Sequence, residues 1–517
     1  MRVPTGAEAI VKTFQKNGLD TWFTNPGTSE MHLVEALARV NGARSILTLF
    51  EGVATGAADG YGRMRGKPAA TLLHLGPGLA NGVANLHNAR RARTPIVNVV
   101  GDQTVAHDKY DAPLTSDIAS VAGSVSAWVR KVELPEQAAP SALEALAAAG
   151  GDPGQIATLI VPADVAWGLA PAQRFPPPVP AAEPDVALDE VVRALETGKR
   201  IAIIAGGTAL REEPLCHLAA ISARLGATLY CETFFARLER GGGRVEPRRL
   251  PYFPEQAAAE LSTFDTLLLV GARDPVAFFA YPLIHGSLAP ESARRITLAA
   301  PAQRCADPVA ALADRLGARG GKAEAAPSLV LPTSGPLNAS AVGAVVAALL
   351  PEGAIVIDEA NTSGGPAYAL CAAAPHHDWL TLTGGAIGQG LPLATGAAVA
   401  CPGRKVISLQ ADGSAMYTLQ ALWTQAREAL DVVTVIFSNR RYAILAAEYE
   451  RLTGASPVGS AAMEQFTLDR PELDFVKLAE GMGVPAVCAT DTAMFVRQFR
   501  DALRPGAGPQ LIEVRLD

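Results

Sequence analysis

The sequence predicts an α/β protein built from three doubly wound parallel-sheet domains. Short apolar strands alternate with segments of helical period, and glycine turns follow several of the strands, as in open parallel sheets. At 517 residues the chain is too long for one hydrophobic core, and domains usually contain about 100–200 residues. Two stretches of biased composition divide it, so we expect domains at residues 1–174, 185–321 and 337–517.

The first domain is predicted from an alternation of helix-like and strand-like segments between Ala7 and Ala163. These segments are residues 8–17, 21–23, 45–49, 52–65, 69–74, 79–90, 95–100 and 158–161. Helical crossovers between strands make parallel pairing the expected arrangement. The proline-rich stretch 175–180 then interrupts regular structure and is typical of a semi-rigid linker.

The second and third domains repeat the alternation. In the second, the apolar strands 200–205 and 266–270 are each followed at once by glycine. Residues 322–337 are rich in Ala, Pro and Ser and indicate a second linker. The third domain contains predicted strands at 354–358, 405–410, 432–438 and 510–514.

Composition excludes several classes of function. The formal net charge is -7, so the chain has no general electrostatic attraction to nucleic acid or to anionic membranes. Its six cysteines are scattered without zinc-type spacing, which favours buried, reduced thiols. The sequence shows neither a signal-peptide pattern nor an apolar run of membrane-spanning length. We therefore expect a cytoplasmic protein without a membrane partner.

Polar residues follow two predicted strands of the third domain, at the strand ends where open α/β sheets bind ligands. The triplet 412–414, Asp-Gly-Ser, follows one strand and opens a predicted helix at 416–429. The run 439–442, Asn-Arg-Arg-Tyr, follows the next strand. Carboxylate and carbonyl oxygens suit Mg²⁺, which usually shares its ligands with substrate phosphates, and a helix start favours an anion. A magnesium-diphosphate site is predicted.

These two segments resemble the cofactor motif of thiamin-diphosphate-dependent enzymes, a GDGS-like start followed about 27 residues later by an Asn-containing strand end. The resemblance implies that Asp412, the Asn439 side chain and the Arg441 carbonyl are metal ligands. It also implies thiamin diphosphate and Mg²⁺ as cofactors. The sequence departs from the family at Ala411, where the family usually has Gly, and at Ser438, where it usually has Asn.

The first domain carries a second resemblance to this family. Residues 49–63 are similar to its HExxAxxxAxGYAR-like stretch, which implies that Glu51 is the catalytic acid acting at the pyrimidine ring of the cofactor. His74, 23 residues after Glu51, stands where benzoylformate decarboxylase has an active-site His. Since a histidine exchanges protons near neutral pH, His74 is the second candidate catalytic residue.

The family resemblance assigns further positions and covers essentially the whole chain, in the order pyrimidine-binding, middle and diphosphate-binding domain. Ile387 is expected to be the wedge that bends the cofactor, and Gly76-Pro77-Gly78 resembles the family's loop beside the pyrimidine. The expected cofactor-binding residues are Asn25, Pro26, Gly27, Gly76, Pro77, Asn81, Glu359, Asn361, Thr362, Gly385, Ile387, Asp412, Gly413, Ser414, Asn439 and Tyr442. The expected substrate-pocket residues are Thr28, Phe279, Ile444, Leu445 and Glu448.

The implied activity is cleavage or formation of a carbon–carbon bond next to the carbonyl of a small-molecule 2-oxo acid, as in benzoylformate decarboxylase. An acetolactate synthase is the first alternative, although the chain ends at Asp517, too early for the C-terminal arm of those enzymes. Short glycine turns in the middle domain do not single out a flavin, so FAD binding is unlikely. A non-catalytic, cofactor-binding regulatory subunit is the alternative from another class.

The resemblance also implies an oligomer. In this family the cofactor lies between the first domain of one subunit and the third domain of another. We therefore expect a homodimer or a dimer of dimers with active sites at the subunit interface. Residues His107, His376 and His377 are expected to be solvated loop residues.

Overall fold

The computed structural model describes residues 3–171, 188–281, 285–321 and 328–516. The described residues form three β-sheets in succession along the chain, which confirms the predicted fold class. The predicted linker at 175–180 and residues 322–327 of the second linker lie outside the described residues. The exact domain limits stay a prediction.

The first domain contains a six-stranded parallel sheet with helices on both faces. Its strands are β1 Thr21–Asn25, β2 Arg44–Leu47, β3 Ala69–Leu73, β4 Ile96–Asp102, β5 Trp128–Lys131 and β6 Ile156–Pro162. Its helices are α1 Gly6–Lys16, α2 Met31–Arg39, α3 Glu51–Arg65, α4 Leu75–Ala92, α5 Ile118–Gly123, α6 Ala138–Ala149 and α7 Ala163–Trp167. The strand order is β2-β1-β3-β4-β6-β5, and β3, β4 and β6 are buried throughout.

The second domain contains a smaller parallel sheet. Its strands are β7 Ile201–Ala205, β8 Thr228–Cys231, β9 Leu238–Arg240, β10 Arg248–Arg249, β11 Thr266–Val270 and β12 Arg294–Ala299. Its helices are α8 Leu188–Thr197, α9 Glu212–Leu225, α10 Pro254–Leu261 and α11 Ala306–Arg315. Five of these strands form one sheet in the order β10-β8-β7-β11-β12. The remaining strand, β9, pairs with the third domain.

The third domain contains a seven-stranded sheet. Its own strands are β13 Ala354–Glu359, β14 His377–Thr381, β15 Val406–Ala411, β16 Val432–Ser438, β17 Ala486–Ala489 and β18 Gln510–Arg515. Its helices are α12 Ala339–Leu349, α13 Gly365–Cys371, α14 Gly390–Ala400, α15 Asp412–Ala415, α16 Ala421–Arg427, α17 Ala443–Thr453, α18 Ala461–Glu464, α19 Phe475–Gly481 and α20 Thr492–Ala502. The order is β17-β18-β16-β15-β13-β14-β9.

One edge of the third sheet departs from the predicted all-parallel arrangement. Strand β9 of the second domain pairs antiparallel with β14, with Arg240 opposite His377 and Leu238 opposite Trp379. An uncovered edge strand would leave a row of N–H and C=O groups without partners. The second domain therefore covers this edge and is joined to the third domain by backbone hydrogen bonds.

The prediction of one long helix at residues 416–429 is wrong. The structure has two short helices, α15 and α16, separated by turns. The N–H groups of Tyr417 and Thr418 bond carbonyls three residues back, and the Thr418 hydroxyl donates to the Gly388 carbonyl at 2.8 Å. The chain is thus drawn toward the turn at residues 383–388. The long helix expected to favour an anion at residue 412 is only a single turn.

Helix α3 of the first domain packs directly on α14 of the third. Glycines allow the close approach, because a Cβ on Gly60 would collide with the Leu393 carbonyl and one on Gly396 with the Ala57 carbonyl. Side chains from both helices, including Tyr61 and Leu393, share one buried cluster. Since Glu51 opens α3 and the 383–388 turn precedes α14, this crossing fixes the two segments relative to each other.

A buried ion pair joins all three domains. Arg63 donates to both carboxylate oxygens of Asp59, at 2.8 and 2.7 Å. The same guanidinium donates to the Thr381 carbonyl and the Thr383 hydroxyl of the third domain, both at 2.9 Å. It also donates to the Ala236 carbonyl of the second domain at 3.3 Å. Breaking such a buried, fully bonded pair is costly, so it holds the domains in one orientation.

A search of the described residues for a helix both long and apolar enough to cross a membrane finds none. All six cysteines are free of disulfides. Cys231, Cys305 and Cys371 are buried, whereas Cys216 is exposed and does not fit the expectation of burial.

Candidate active site

Glu51 is the first residue of α3, and its side chain is buried. Asn81 Nδ2 donates a hydrogen bond to Glu51 Oε2 at 3.0 Å. The other oxygen faces α4: a Cβ on Gly78 would lie 3.0 Å from Glu51 Oε1 and 3.3 Å from the Cβ of His74. The two residues predicted to be catalytic therefore lie next to the same glycine.

The segment Gly76-Pro77-Gly78 is expected to be a loop, but the structure places it in the first turn of α4. Leu75 has a φ of 48°, a left-handed conformation that turns the chain from β3 into the helix. Proline is tolerated in a first helical turn, where its missing N–H has no intrahelical partner to lose. The helical spacing brings Asn81 one turn after Gly78 and within reach of Glu51.

His74 is held by a buried carboxylate. Its Nδ1 lies 2.8 Å from Glu30 Oε2, and Glu30 is fully buried. Glu30 also accepts hydrogen bonds from the Gly27 N–H at 2.8 Å and the Ser29 hydroxyl at 2.7 Å. A Cβ on Gly27 would collide with the imidazole, so this position needs glycine. The sequence analysis assigns no role to Glu30, which is one residue of the run Asn-Pro-Gly-Thr-Ser-Glu at positions 25–30.

The predicted first-domain residues share one edge of their sheet. Strands β1 and β3 are parallel neighbours, so their carboxyl ends, at Asn25 and just before His74, meet at that edge. Asn25, Pro26 and Gly27 are half-buried there, and Thr28 is exposed. We call the group Glu51, His74, Glu30 and Asn81 the first half-site.

Asp412 lies at the carboxyl end of β15 and is only 3% exposed. Its Oδ1 accepts the Gly413 N–H at 2.7 Å, and its Oδ2 accepts the Arg440 N–H at 2.6 Å. Arg440 has a φ of 58°, which turns the chain after β16 toward this carboxylate. Burial raises the pKa of Asp412, and the groups that oppose this shift are backbone N–H groups. Within the described residues, no side-chain cation pairs with this carboxylate.

This donor set fits a magnesium ion. Asp412 and the amide oxygen of Asn439, which accepts the Arg441 N–H at 3.0 Å, are hard oxygen donors of the kind Mg²⁺ uses. A buried carboxylate bonded only to backbone N–H groups is also a favourable place for a cation. We call Asp412, Asn439 and Arg441 the second half-site.

The residues expected near a diphosphate lie around the second half-site. Asn361 Nδ2 donates to the Ser414 hydroxyl at 2.9 Å. The Tyr442 ring covers Gly413 so closely that a Cβ on this glycine would collide with it. Asn361 and Thr362 are exposed to solvent. Residues after β13, β15 and β16 thus meet at one edge of the third sheet, as predicted for parallel strand ends.

Glu359, expected to contact the cofactor, is hydrogen-bonded within the third domain. Its carboxylate accepts the N–H groups of Gly388 at 2.7 Å and Gly390 at 2.6 Å, and the Gln410 amide at 2.9 Å. It is 2% exposed, and burial raises its pKa. Both oxygens are therefore used inside the protein, because they hold the backbone between the 383–388 turn and α14. Glu359 therefore positions the backbone of this turn, and its contact with the cofactor stays a prediction.

The 383–388 turn is shaped by the first domain. Gly385 and Gly388 have φ values of 79° and 93°, a region that favours glycine. Asn88 Nδ2 donates to a carbonyl of the turn at 2.7 Å, and Asn85 Nδ2 to another at 3.3 Å. Ile387, the predicted wedge, is half-buried. Contacts from α4 therefore fix the turn that presents Ile387.

The expected substrate-pocket residues are mostly accessible apolar groups. Phe279 is 55% and Leu445 is 44% exposed, and Ile444 is half-buried. Glu448 differs, because its carboxylate is bonded to Arg451 at 2.8 Å and to the Tyr281 hydroxyl at 3.3 Å. The one acid of this set is therefore paired inside the protein, and its place in a substrate pocket stays a prediction.

The three histidines expected in solvated loops do not all lie at the surface. His107 is exposed and His376 is half-buried. His377, expected in a solvated loop, is instead buried in β14. Burial lowers the pKa of His377 to about 4, so this side chain is a neutral part of the sheet.

A separate cleft lies between the domains and includes the glycine turns of the middle domain. It is lined by the glycine turns Gly207 and Gly271 and by charged residues that include Arg93, Glu232 and Arg273. Burial raises the pKa of Glu232 to about 7. These residues belong to no flavin-specific pattern, and the absence of FAD stays a prediction.

Comparison with known proteins identifies the class. The thiamine pyrophosphate enzyme N-terminal TPP binding domain matches residues 4–121, and the thiamine pyrophosphate enzyme C-terminal TPP binding domain matches residues 364–514. These ranges contain the first and second half-sites respectively. The chain belongs to the thiamine-diphosphate-dependent enzymes of the decarboxylase and acetolactate synthase family, as predicted.

Particular relatives span the whole chain. It is 50% identical to the "Putative acetolactate synthase large subunit IlvX" of Mycobacterium tuberculosis, over 98% of each chain. It is 27% identical to a benzoylformate decarboxylase of Pseudomonas aeruginosa, again over 98% of each. A solved thiamine diphosphate-dependent 4-hydroxybenzoylformate decarboxylase of Rhodococcus jostii RHA1 has the same fold, with a TM-score of 0.85, 24% identity and 99% of both chains covered.

Proposed function

We propose that this enzyme is a Mg²⁺-dependent 2-oxo acid decarboxylase of the benzoylformate decarboxylase kind, able also to join the acyl fragment to a second carbonyl compound. The observation that carries the proposal is the pairing of two proton-exchanging side chains beside Gly78, namely Glu51 and His74. A decarboxylase must release carbon dioxide and then protonate what remains. Two adjacent acid–base groups suit that requirement.

Thiamin diphosphate, when bound, supplies the electron sink that allows a carbon–carbon bond next to a carbonyl to break. In the proposed site, Asp412, Asn439 and the Arg441 carbonyl would hold Mg²⁺ next to the diphosphate. Asn361, Thr362 and Ser414 provide neighbouring polar groups. These residues fit the task because the Asp412 carboxylate is buried and its partners are backbone N–H groups.

Glu51 is proposed to carry the proton that activates the pyrimidine ring. Asn81 holds Oε2 by donating to it, so the proton belongs on Oε1, the oxygen next to Gly78. His74 is fixed through Nδ1 on Glu30, which leaves Nε2 to exchange protons with the substrate. Glu30 thus selects the ring nitrogen that takes part, in the manner of a buried carboxylate that orients a catalytic histidine.

The first test replaces Glu51 by Gln, which keeps the shape and the Asn81 partner. We expect kcat to fall by about 10²–10⁴-fold, while the Kd for Mg²⁺–thiamin diphosphate changes by less than about threefold. An Asn81→Ala variant is the matched control for the hydrogen bond alone. Turnover by Glu51→Gln at the wild-type rate would contradict the assigned role.

A second candidate is the acetolactate synthase reaction, favoured by the name of the 50% identical relative. The two reactions are distinguished by their products. The holoenzyme should be incubated with pyruvate, benzoylformate and branched 2-oxo acids, and carbon dioxide, aldehyde and acyloin should be measured separately. Aldehyde in step with carbon dioxide supports the decarboxylase, whereas acetolactate from pyruvate supports the synthase.

The active form is proposed to be a homodimer or a dimer of dimers. The hydrogen bonds of Glu51 stay within the first domain, and those of Asp412 stay within the third. An arrangement in which a second subunit supplies the facing half-site would bring the two groups to opposite ends of one cofactor. A cytoplasmic location remains the expectation from sequence.

A further inference from the structure

The C-terminal end of helix α4 carries arginines that the proposed activity does not use. Arg91 lies in the last turn, and Arg93 is the C-cap residue with a φ of 56°. Glycine is the usual residue in this left-handed conformation, so Arg93 is kept there at some cost in backbone strain. Arg91, Arg93 and Arg273 all border the cleft between the domains.

The three guanidinium groups of this cleft have no close partners. Within the described residues none of them forms a side-chain hydrogen bond or an ion pair, and Arg93 Nε is buried without a hydrogen-bond partner. Burial, and then repulsion from Arg273, lower the pKa of both Arg91 and Arg93. A buried donor without a partner is costly, so an anion that binds here would stabilise the cluster.

One carboxylate borders the same cleft. Glu232 Oε1 accepts the Arg273 N–H at 3.2 Å, and a Cβ on Gly206 would lie 2.5 Å from Glu232 Oε2. Burial raises the pKa of Glu232 to about 7, so near neutral pH this carboxylate is charged only in part. Three guanidinium groups face this one carboxylate, which leaves an excess of at least two positive charges.

The size of the cleft limits what it can bind. Its volume is about 60 Å³, and one water needs about 10–15 Å³, so the cleft admits a group of about five heavy atoms. A backbone N–H after a glycine turn is the group that usually binds the phosphates of a dinucleotide, and here Glu232 accepts it. A small tetrahedral oxyanion therefore suits both the volume and the charge.

We propose that this cleft is a binding site for a small divalent oxyanion, held by Arg91, Arg93 and Arg273. Guanidinium groups bind such ions through pairs of N–H donors in one plane. Thr383 of the third domain also borders the cleft, and its hydroxyl donates to the Asn88 carbonyl of α4 at 2.8 Å. A bound anion therefore joins the three domains at the start of the 383–388 turn and should raise the Tm of the enzyme. The site uses no residue of either half-site, so the inference does not depend on the proposed function.

The first test titrates sulfate into the full-length holoenzyme, saturated with Mg²⁺ and thiamin diphosphate so that the cofactor site is filled. Isothermal titration calorimetry should show a single saturable site in each chain. Arg93→Met and Arg273→Met should each raise the Kd by about 10–100-fold, the effect of losing one hydrogen bond to a charged group. Arg90→Gln is the matched control, because Arg90 is exposed in the same helical turn but does not border the cleft. Absence of saturable binding, or an equal Kd in all four proteins, would overturn the proposal.

The pH dependence of sulfate binding tests the part played by Glu232. The charged groups that share its cleft are Arg91, Arg93 and Arg273, and arginines stay charged between pH 6 and 8, as sulfate stays divalent. Since protonation of Glu232 removes a repelling charge, sulfate should bind up to about tenfold more tightly at pH 6 than at pH 8. Glu232→Gln should remove this difference, and an unchanged pH dependence in that variant would contradict the role of Glu232.

The chemical source of the anion is tested with inorganic phosphate, glycerol phosphate and FAD. Tighter binding of inorganic phosphate assigns the site to a free ion, whereas tighter binding of glycerol phosphate assigns it to a phosphate monoester. Either result supports an oxyanion site. Tighter binding of FAD than of both phosphates, retained in Arg93→Met, would show a dinucleotide site and overturn the proposal.

Discussion

The two half-sites satisfy their buried carboxylates in opposite ways. In the first, Glu51 is held by the Asn81 amide and Glu30 by the His74 imidazole, so both acids have side-chain partners. In the second, Asp412 is held by backbone N–H groups of Gly413 and Arg440. The acids of the first half-site have side-chain partners within one domain, whereas Asp412 has only backbone partners among the described residues. This difference supports the proposal that the first domain supplies proton transfer and the third domain supplies the metal site.

The largest expected effect tests whether the second half-site binds Mg²⁺ through Asp412. Replacing Asp412 by Asn keeps the size but removes the charge that Mg²⁺ needs. We expect Mg²⁺-dependent binding of thiamin diphosphate to weaken by at least about 100-fold, with loss of turnover at moderate cofactor concentration. Isothermal titration calorimetry with and without Mg²⁺ measures this. Unchanged Mg²⁺ dependence would place the metal elsewhere.

The next largest effect tests Glu30, the carboxylate that binds His74 in the first half-site. Glu30→Gln removes the charge beside His74 while keeping a group that can accept the Gly27 N–H. We expect kcat to fall by about 10–100-fold, with little change in cofactor Kd.

Because Glu30 acts through His74, the double variant Glu30→Gln/His74→Gln should be no slower than His74→Gln alone. Additive losses in this cycle would indicate that Glu30 has a separate role. Thermal denaturation of each variant separates a change in folding from a change in proton transfer.

The smallest expected effect concerns stability and not activity. It tests His377, which lies away from both half-sites where β14 pairs with β9. Burial lowers the pKa of His377 from 6.5 to about 4, so between these pH values the unfolded chain binds more protons than the folded chain. Stability then falls as pH drops through this window, by at most about 3 kcal/mol. The Tm of His377→Gln should vary less with pH than that of the wild type. Parallel pH curves for the two proteins would rule out this contribution.

The sequence predicted the fold and the local motifs because both depend on nearby residues. Alternating apolar strands and helices located β1, β2, β3, β4, β6, β7, β11, β13, β15, β16 and β18. Short or partly polar strands such as β5 and β17 lack that signal, since they gain their place from pairing with a neighbour. Asp412 and Asn439 were found because each follows a buried strand.

The features that were missed depend on contacts between distant segments. Glu30 binds His74, 44 residues later, and Arg63 binds Thr383, 320 residues later. Glu359 bonds the start of α14 from the end of β13, and Thr418 breaks a helix by bonding Gly388. A helical period or a strand pattern carries no information on such pairings, because they form only when the domains pack.

The central claim is that one cofactor is held by a first half-site and a second half-site from different subunits. Co-expression of Glu51→Gln and Asp412→Asn chains, with different affinity tags, gives mixed dimers in which one site is intact and the other doubly defective. The two chains are each inactive alone, and we expect about a quarter of wild-type activity in the randomly paired mixture and about half in the purified mixed dimers. No recovery of activity in purified mixed dimers would contradict the account.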